Sequence, residues 1–204
     1  MHYKMKEQIR FKIGKAEKNI QEKWVEIPDG TEQIQMTLEV PEEFQYMTFL
    51  FLEDPKQKIR FQKLLGYGQQ NPGIGKAAQD TTIGGVPGEI HPGIWKIGMG
   101  IFTEYVAQKL GNRTGEIVMT ISDQKENLSD PIGGDCWVEN GLSISEKRYQ
   151  WEKSFQTESK WYSGDFHTHT RLSDGKETIE HASKRAEERG LDFYVPTEHN
   201  LMHT

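Results

Sequence analysis

At 204 residues the chain has room for one or two domains and a real core. Its net charge of −6 argues against a broad nucleic-acid-backbone surface, though not against a small phosphorylated substrate. Cys136 is the single cysteine, which excludes an internal disulfide, and no run approaches the roughly 20 apolar residues of a membrane helix.

The N-terminal MHYKMKEQIRFKIGK is basic but has no apolar stretch of signal-peptide length, so a cytoplasmic, soluble protein is expected. Residues 1–125 read as β-structure. Glu32 to Val40 alternates apolar and polar, with Ile34, Met36, Leu38 and Val40 on one face, which predicts a strand. Tyr46 to Leu52 is a near-continuous apolar run between Pro41 and Pro55, the pattern of a buried strand. Lys58 to Leu65 is a weaker candidate. Gly66 to Gly93 is dense in turn residues and reads as a long loop of the kind that often carries function. Ile94 to Phe102 and Glu116 to Ser122 read as strands, the first weakened by Gly98 and Gly100. Tyr105 to Leu110 fits a helical turn or a strand edge. Short strands between Gly and Pro turns predict a β-sandwich-like accessory domain.

Residues 126–160 are polar and turn-rich, then charged with interspersed aromatics: Tyr149, Trp151 and Phe155, followed by Trp161 and Tyr162. They read as an interdomain connection pinned by aromatic packing. Over residues 161–204 the pattern changes again. Trp161 to His167 reads as a strand. Lys176 to Arg189 reads as a helix with Ile179, Ala182, Ser183 and Ala186 along one side, stopped by Gly190. Leu191 to Val195 reads as a second strand, completing one βαβ unit. The fold class expected is therefore α+β.

The chemistry concentrates in GDFHTHTRLSDG, residues 164–175. His167 and His169 are two apart, so an extended strand points both to one face. Asp174 follows in a loop with Ser173 and Gly175, where a carboxylate can fold back. His199 ends the second strand in VPTEHN. In a parallel βαβ unit the C-terminal strand ends share one edge, where α/β folds place their ligand sites. His167, His169, Asp174 and His199 are accordingly the candidate metal ligands. Their mixed nitrogen and carboxylate donors suit Zn, Mn or Fe, ions that acidify water and polarise a substrate.

HTHT, then SDG, then TEHN beyond a helix and a strand resembles the polymerase-and-histidinol-phosphatase (PHP) domain. The block from GDFHTHT to GLDFYVPTEHN is similar to the branch that includes carbaryl-type ester and carbamate hydrolases. That branch often carries a β-rich region ahead of its metal motif. The resemblance implies the first βαβ unit of a (β/α)7 PHP barrel binding two or three divalent ions. It implies hydrolysis of a small-molecule phosphate ester or of a carboxylic or carbamic ester. Residue by residue, His167, His169, Asp174 and His199 match metal ligands, and Asp165 matches a supporting position. The family usually has Asp where this chain has Glu198. The family's later glutamate, two histidines and Asp-x-His pair have no counterpart before Thr204, so activity is expected of the complete domain and not of these 204 residues alone.

The remaining histidines carry blander expectations. His181 reads as a helix-surface residue, His203 as part of a frayed end and His91 as a turn residue. Cys136 reads as inert, Trp95 as a packing residue, and the glycines of 66–100 as turns and not a nucleotide cradle. Two other expectations stand beside the hydrolase. One is a non-catalytic β-domain binding protein with a vestigial PHP segment. The other is a split enzyme whose missing strands come from a complementing chain. No nucleic-acid or membrane partner is expected, and no residue reads as a general acid.

Overall fold

The structure, a computed structural model, describes residues 5–128, 131–132, 154 and 157–199. Most of the aromatic connection, with Cys136, Tyr149, Trp151 and Phe155, lies outside these residues, as does His203. The chain divides into two compact units, Met1–Ile132 and Gly133–Thr204.

The first unit is built from β1 (Lys6–Ile13), β2 (Ile20–Ile27), β3 (Gln33–Val40), β4 (Thr48–Glu53), β5 (Ile59–Leu64), β6 (Gly68–Gln70), β7 (Gly73–Gly75), β8 (Gly93–Ile101), helix α1 (Thr103–Leu110) and β9 (Gly115–Ser122). They form two antiparallel sheets. One runs β1-β9-β3-β6, with β7 also on β3, and the other runs β2-β8-β4-β5. Alternation decides which side chains face inward. In β1, Ile9, Phe11 and Ile13 are buried while Lys6, Gln8, Arg10 and Lys12 are exposed. The inward rows of both sheets join one core that includes Phe11, Ile34, Leu50, Trp95, Met99 and Ile117. Each such side chain, fully buried, stabilises the fold by about 1.5–3 kcal/mol.

Three details refine the expectations for this unit. Within the basic N-terminal stretch, Lys6–Ile13 is a strand, paired along the strand's length with β9 from Lys6↔Ser122 to Ile13↔Gly115. Second, β4 buries only one face completely. Phe49 and Phe51 on its other face stand across from Gly100 and Gly98 of β8. A Cβ on Gly98 would lie 1.8 Å from Phe51 Cζ, and one on Gly100 would lie 2.0 Å from Phe49 Cε1. The two glycines thus make room for the two rings instead of weakening the strand. Third, Tyr105 to Leu110 belongs to a helix that begins at Thr103.

The turn-rich stretch after β5 is tied down by side chains. Thr81 Oγ1 accepts the Gly75 amide at 3.0 Å, and Thr82 Oγ1 accepts the Gly73 amide at 3.1 Å. Arg60, buried on β5, donates to the carbonyls of Val86, Gly88 and Glu89 at 3.2, 3.0 and 2.8 Å. Its guanidinium lies 3.8 Å from the buried Asp54 carboxylate and 5.7 Å from the Trp95 ring centroid. Burial pushes the Arg60 pKa down, and the Asp54 charge opposes that shift. Trp95 is buried in the core, its indole N–H donating to the His91 carbonyl at 2.8 Å.

The second unit contains β10 (Gly164–Thr168), helix α2 (Ile179–Glu188) and β11 (Phe193–Pro196). β10 and β11 pair in parallel, with Gly164↔Phe193, Asp165↔Tyr194 and Thr168↔Pro196, and the register shifts between Asp165 and Thr168. β10 begins at Gly164 and not at Trp161, whose side chain is 98 % exposed. Thr178 caps α2 by accepting the His181 amide at 3.1 Å. Of the side expected to face inward, Ala182 and Ala186 are buried, Ile179 is half-buried and Ser183 is exposed. At the other end the Gly190 amide donates to Glu187 O and the Leu191 amide to Ala186 O, with Gly190 at φ +70°. That pair of bonds is the Schellman stop expected of the glycine.

Candidate metal centre

The parallel pairing carries the site. Because β10 and β11 point the same way, the loop after β10 and the turn after β11 leave from one edge of the small sheet. A short ladder joins the two exits: the Thr197 amide and hydroxyl both donate to the Thr168 carbonyl, at 2.7 and 3.1 Å. His169 starts the first exit and His199 ends the second.

The loop from His169 to Glu177 closes on itself. Thr170 is fully buried, and its carbonyl accepts the Ser173 and Gly175 amides at 3.1 and 2.9 Å. The Arg171 amide donates to Glu177 O at 2.8 Å. Gly175 packs against the backbone of His169, so that a Cβ there would lie 2.2 Å from the His169 carbonyl oxygen. This contact folds Asp174 back over His169. Leu172 of the same loop is buried, 3 % exposed.

His169, Asp174 and His199 each offer a donor atom within 4.8 Å of the others. His169 Nδ1 is 3.4 Å from Asp174 Oδ1, and His199 Nε2 is 3.7 Å from Asp174 Oδ2. The His169 and His199 rings stack, with centroids 4.5 Å apart and planes at 20°. His167 approaches His169 from the other side, Nε2 to Nε2, at 3.0 Å. An imidazole's two nitrogens diverge. His167 therefore meets one edge of the His169 ring and Asp174 the other, and the convergent set is His169, Asp174 and His199. Asp165 accepts the His167 amide at 3.0 Å and so is tied to its own strand. His181 is exposed on α2, with its backbone amide in the helix cap.

The donor set fits a divalent ion on two counts. Two imidazoles and a carboxylate are a common set for Zn or a related first-row ion. In addition, His169 Nδ1 is buried without a hydrogen-bond partner among the described residues. A buried polar atom left unpaired costs about 1–3 kcal/mol, so a partner at that nitrogen would be stabilising.

Sequence reasoning marked Glu198 as a departure but did not find its partners. Its Oε1 accepts the Thr170 amide at 2.7 Å, and its Oε2 accepts from the Ser173 hydroxyl. The only signal in the sequence was a long acidic arm next to His199 and a serine next to Asp174. A crevice of about 310 Å³ lies beside His169, lined among others by Thr168, Lys176, Glu177, Arg185 and Tyr194.

No protein-family model matches the chain, and no curated protein matches it. Among the described residues no helix is long and apolar enough to cross a membrane.

Proposed function

We propose that residues 161–204 carry part of the metal centre of a PHP-type hydrolase, acting on a small phosphate ester or a carboxylic or carbamic ester. The observation that carries this reading is the gathering of His169, Asp174 and His199 within 4.8 Å at one edge of a parallel βαβ unit. The sequence resemblance supplies the reaction class, and the first strands of a PHP barrel are the finer fold reading that goes with it. In this reading His169 and His199 offer neutral nitrogens and Asp174 supplies a negative charge between them. His167 lies on the far edge of the His169 ring, placed to serve a second position. When bound, divalent ions supply Lewis acidity toward the ester and toward water. The half-buried His169 and the closed loop behind it hold the donors in place before any ion arrives, which lowers the cost of ordering them.

The test is direct. The 204-residue chain, and the uninterrupted product of its gene, are titrated with Zn²⁺ and Mn²⁺ and assayed with p-nitrophenyl phosphate and p-nitrophenyl acetate. Metal binding in both, with metal-dependent turnover in the gene product, is expected. Absence of binding in both sinks the proposal.

A second reading rests on the first unit. A groove of about 490 Å³ there is lined by Ile20, Phe49, Phe102 and Tyr105, with Asn19 and Thr103 at its polar side. It favours a binding role for the β-domain, independent of hydrolysis. Protection of the Tyr105 region from hydrogen exchange by a ligand, with no metal-dependent turnover, would favour this reading over the first.

A further inference from the structure

The carboxylate of Glu198 touches the chain next to two members of the convergent donor set, and Glu198 itself adjoins the third. It accepts the amide of Thr170, the residue after His169. It accepts the hydroxyl of Ser173, the residue before Asp174. Glu198 itself precedes His199. Thr170 is fully buried, and its amide would otherwise be left without an acceptor. Both carboxylate oxygens are therefore engaged within the protein, on the loop that carries Asp174. An aspartate at this position would stop short by one C–C bond and could not span the same two groups from the same backbone. We infer that Glu198 is a positioning residue that fixes the spacing of His169, Asp174 and His199, an inference that rests on the metal-site reading above. Outer partners of this kind typically change metal affinity by about 10–100-fold when removed.

The probe is Co²⁺ alone, bound to the 204-residue chain and followed by its visible absorption, with affinity set by competition against a chelator. Thermal unfolding of each metal-free variant accompanies it. Glu198→Ala loses both contacts, and its Co²⁺ affinity is expected to fall about 10–100-fold with an altered absorption band. Glu198→Gln keeps the spacing. Its amide oxygen accepts the Thr170 N–H and its NH2 group donates to Ser173 Oγ, so affinity within about threefold of wild type is expected, with the wild-type band. Ser173→Ala removes the hydroxyl's contact with Glu198, together with its longer 3.4 Å contact to Asp174 Oδ1, keeps the Thr170 contact of Glu198, and is expected to lie between the two. It carries the test if Glu198→Ala does not fold.

Wild-type affinity in Glu198→Ala, or in Ser173→Ala where that variant stands in, overturns the inference. So does a Glu198→Gln variant as weak as Glu198→Ala, because charge or direct ligation would then be the contribution. If the wild-type chain itself binds no Co²⁺, the metal reading fails first and the inference goes with it. The two failures are therefore distinguishable.

Discussion

His169 and His199 leave from the ends of different strands, yet their rings stack at 4.5 Å with Asp174 bridging both nitrogen edges. Replacing His169 with alanine removes the member shared by both halves of the cluster. Zn²⁺ affinity, measured by titration calorimetry, is expected to fall by more than the 10–100-fold typical of a supporting residue. His181→Ala, on the helix surface, is expected to leave affinity unchanged. Equal losses in the two variants would refute the assignment.

Binding at this site should also stabilise the unit that contains it. At a free Zn²⁺ concentration of 100 times the dissociation constant the gain is about 2.7 kcal/mol. Hydrogen exchange is expected to slow in β10, α2 and β11 on adding Zn²⁺ and to recover with a chelator. The amides of the two antiparallel sheets are expected not to respond. A uniform response across the chain would argue against a local site.

The pairing of Phe51 with Gly98 makes that glycine sensitive to any side chain. Gly98→Val forces the ring away and is expected to cost about 1–3 kcal/mol in urea unfolding. Adding Phe51→Ala removes the clash, so the double variant should lose less than the sum of the two single losses. Strict additivity would mean that the ring and the glycine do not share that space.

Arg60→Met leaves Asp54 buried without its cation and three loop carbonyls without their donor. A loss of about 3–5 kcal/mol is expected, the range for breaking a buried pair from one side. Denaturant unfolding of the variant checks this, and a change under about 1 kcal/mol would contradict the burial argument.

Acid should weaken the second unit through Asp192. The Ser163 amide at 3.0 Å and then the Lys160 ammonium at 2.9 Å hold its carboxyl below the usual range. A carboxyl lowered in the folded state contributes stability that is complete above its ordinary pKa and is lost as pH falls through the lower folded value. Lys160, raised by the same contact, loses its contribution only as pH rises through its folded pKa, above the usual lysine range. Asp192→Asn is expected to flatten the acid side of the stability profile, read by circular dichroism across a pH series. An unchanged slope would rule out this carboxyl as its source.

Much of the β-domain was legible because its strands bury one face. Ile34, Met36, Leu38 and Val40 announce β3 by alternation, and Ile117, Met119 and Ile121 do the same for β9. β1 has the same alternation, but lysine, arginine and glutamine at its outward positions make its basic composition the more conspicuous signal. β2 was harder, since its exposed Ile20 and Trp24 break the pattern that Val25 and Ile27 set. The metal candidates were legible because two-residue spacing and strand ends are local facts. The split between His167 and Asp174 across the His169 ring was not, because it depends on how a nine-residue stretch from 169 to 177 folds over its own backbone. Glu198 shows the same limit: its identity is local, but its hydrogen-bond partners are tertiary.

The glycine-rich passage between β5 and β8 invites a further use of these contacts. A protein engineer wanting an insertion point for an epitope tag or a fluorescent reporter would choose that passage on composition. The Thr81 and Thr82 hydroxyls and the Arg60 guanidinium hold its carbonyls and amides in fixed places, so a graft there would pull out stitches that also fasten β5 and β7. The turn from Lys15 to Lys18, between β1 and β2, is the better opening, since its side chains are largely exposed and Gly14 O···H–N Glu17 is the bond that closes it.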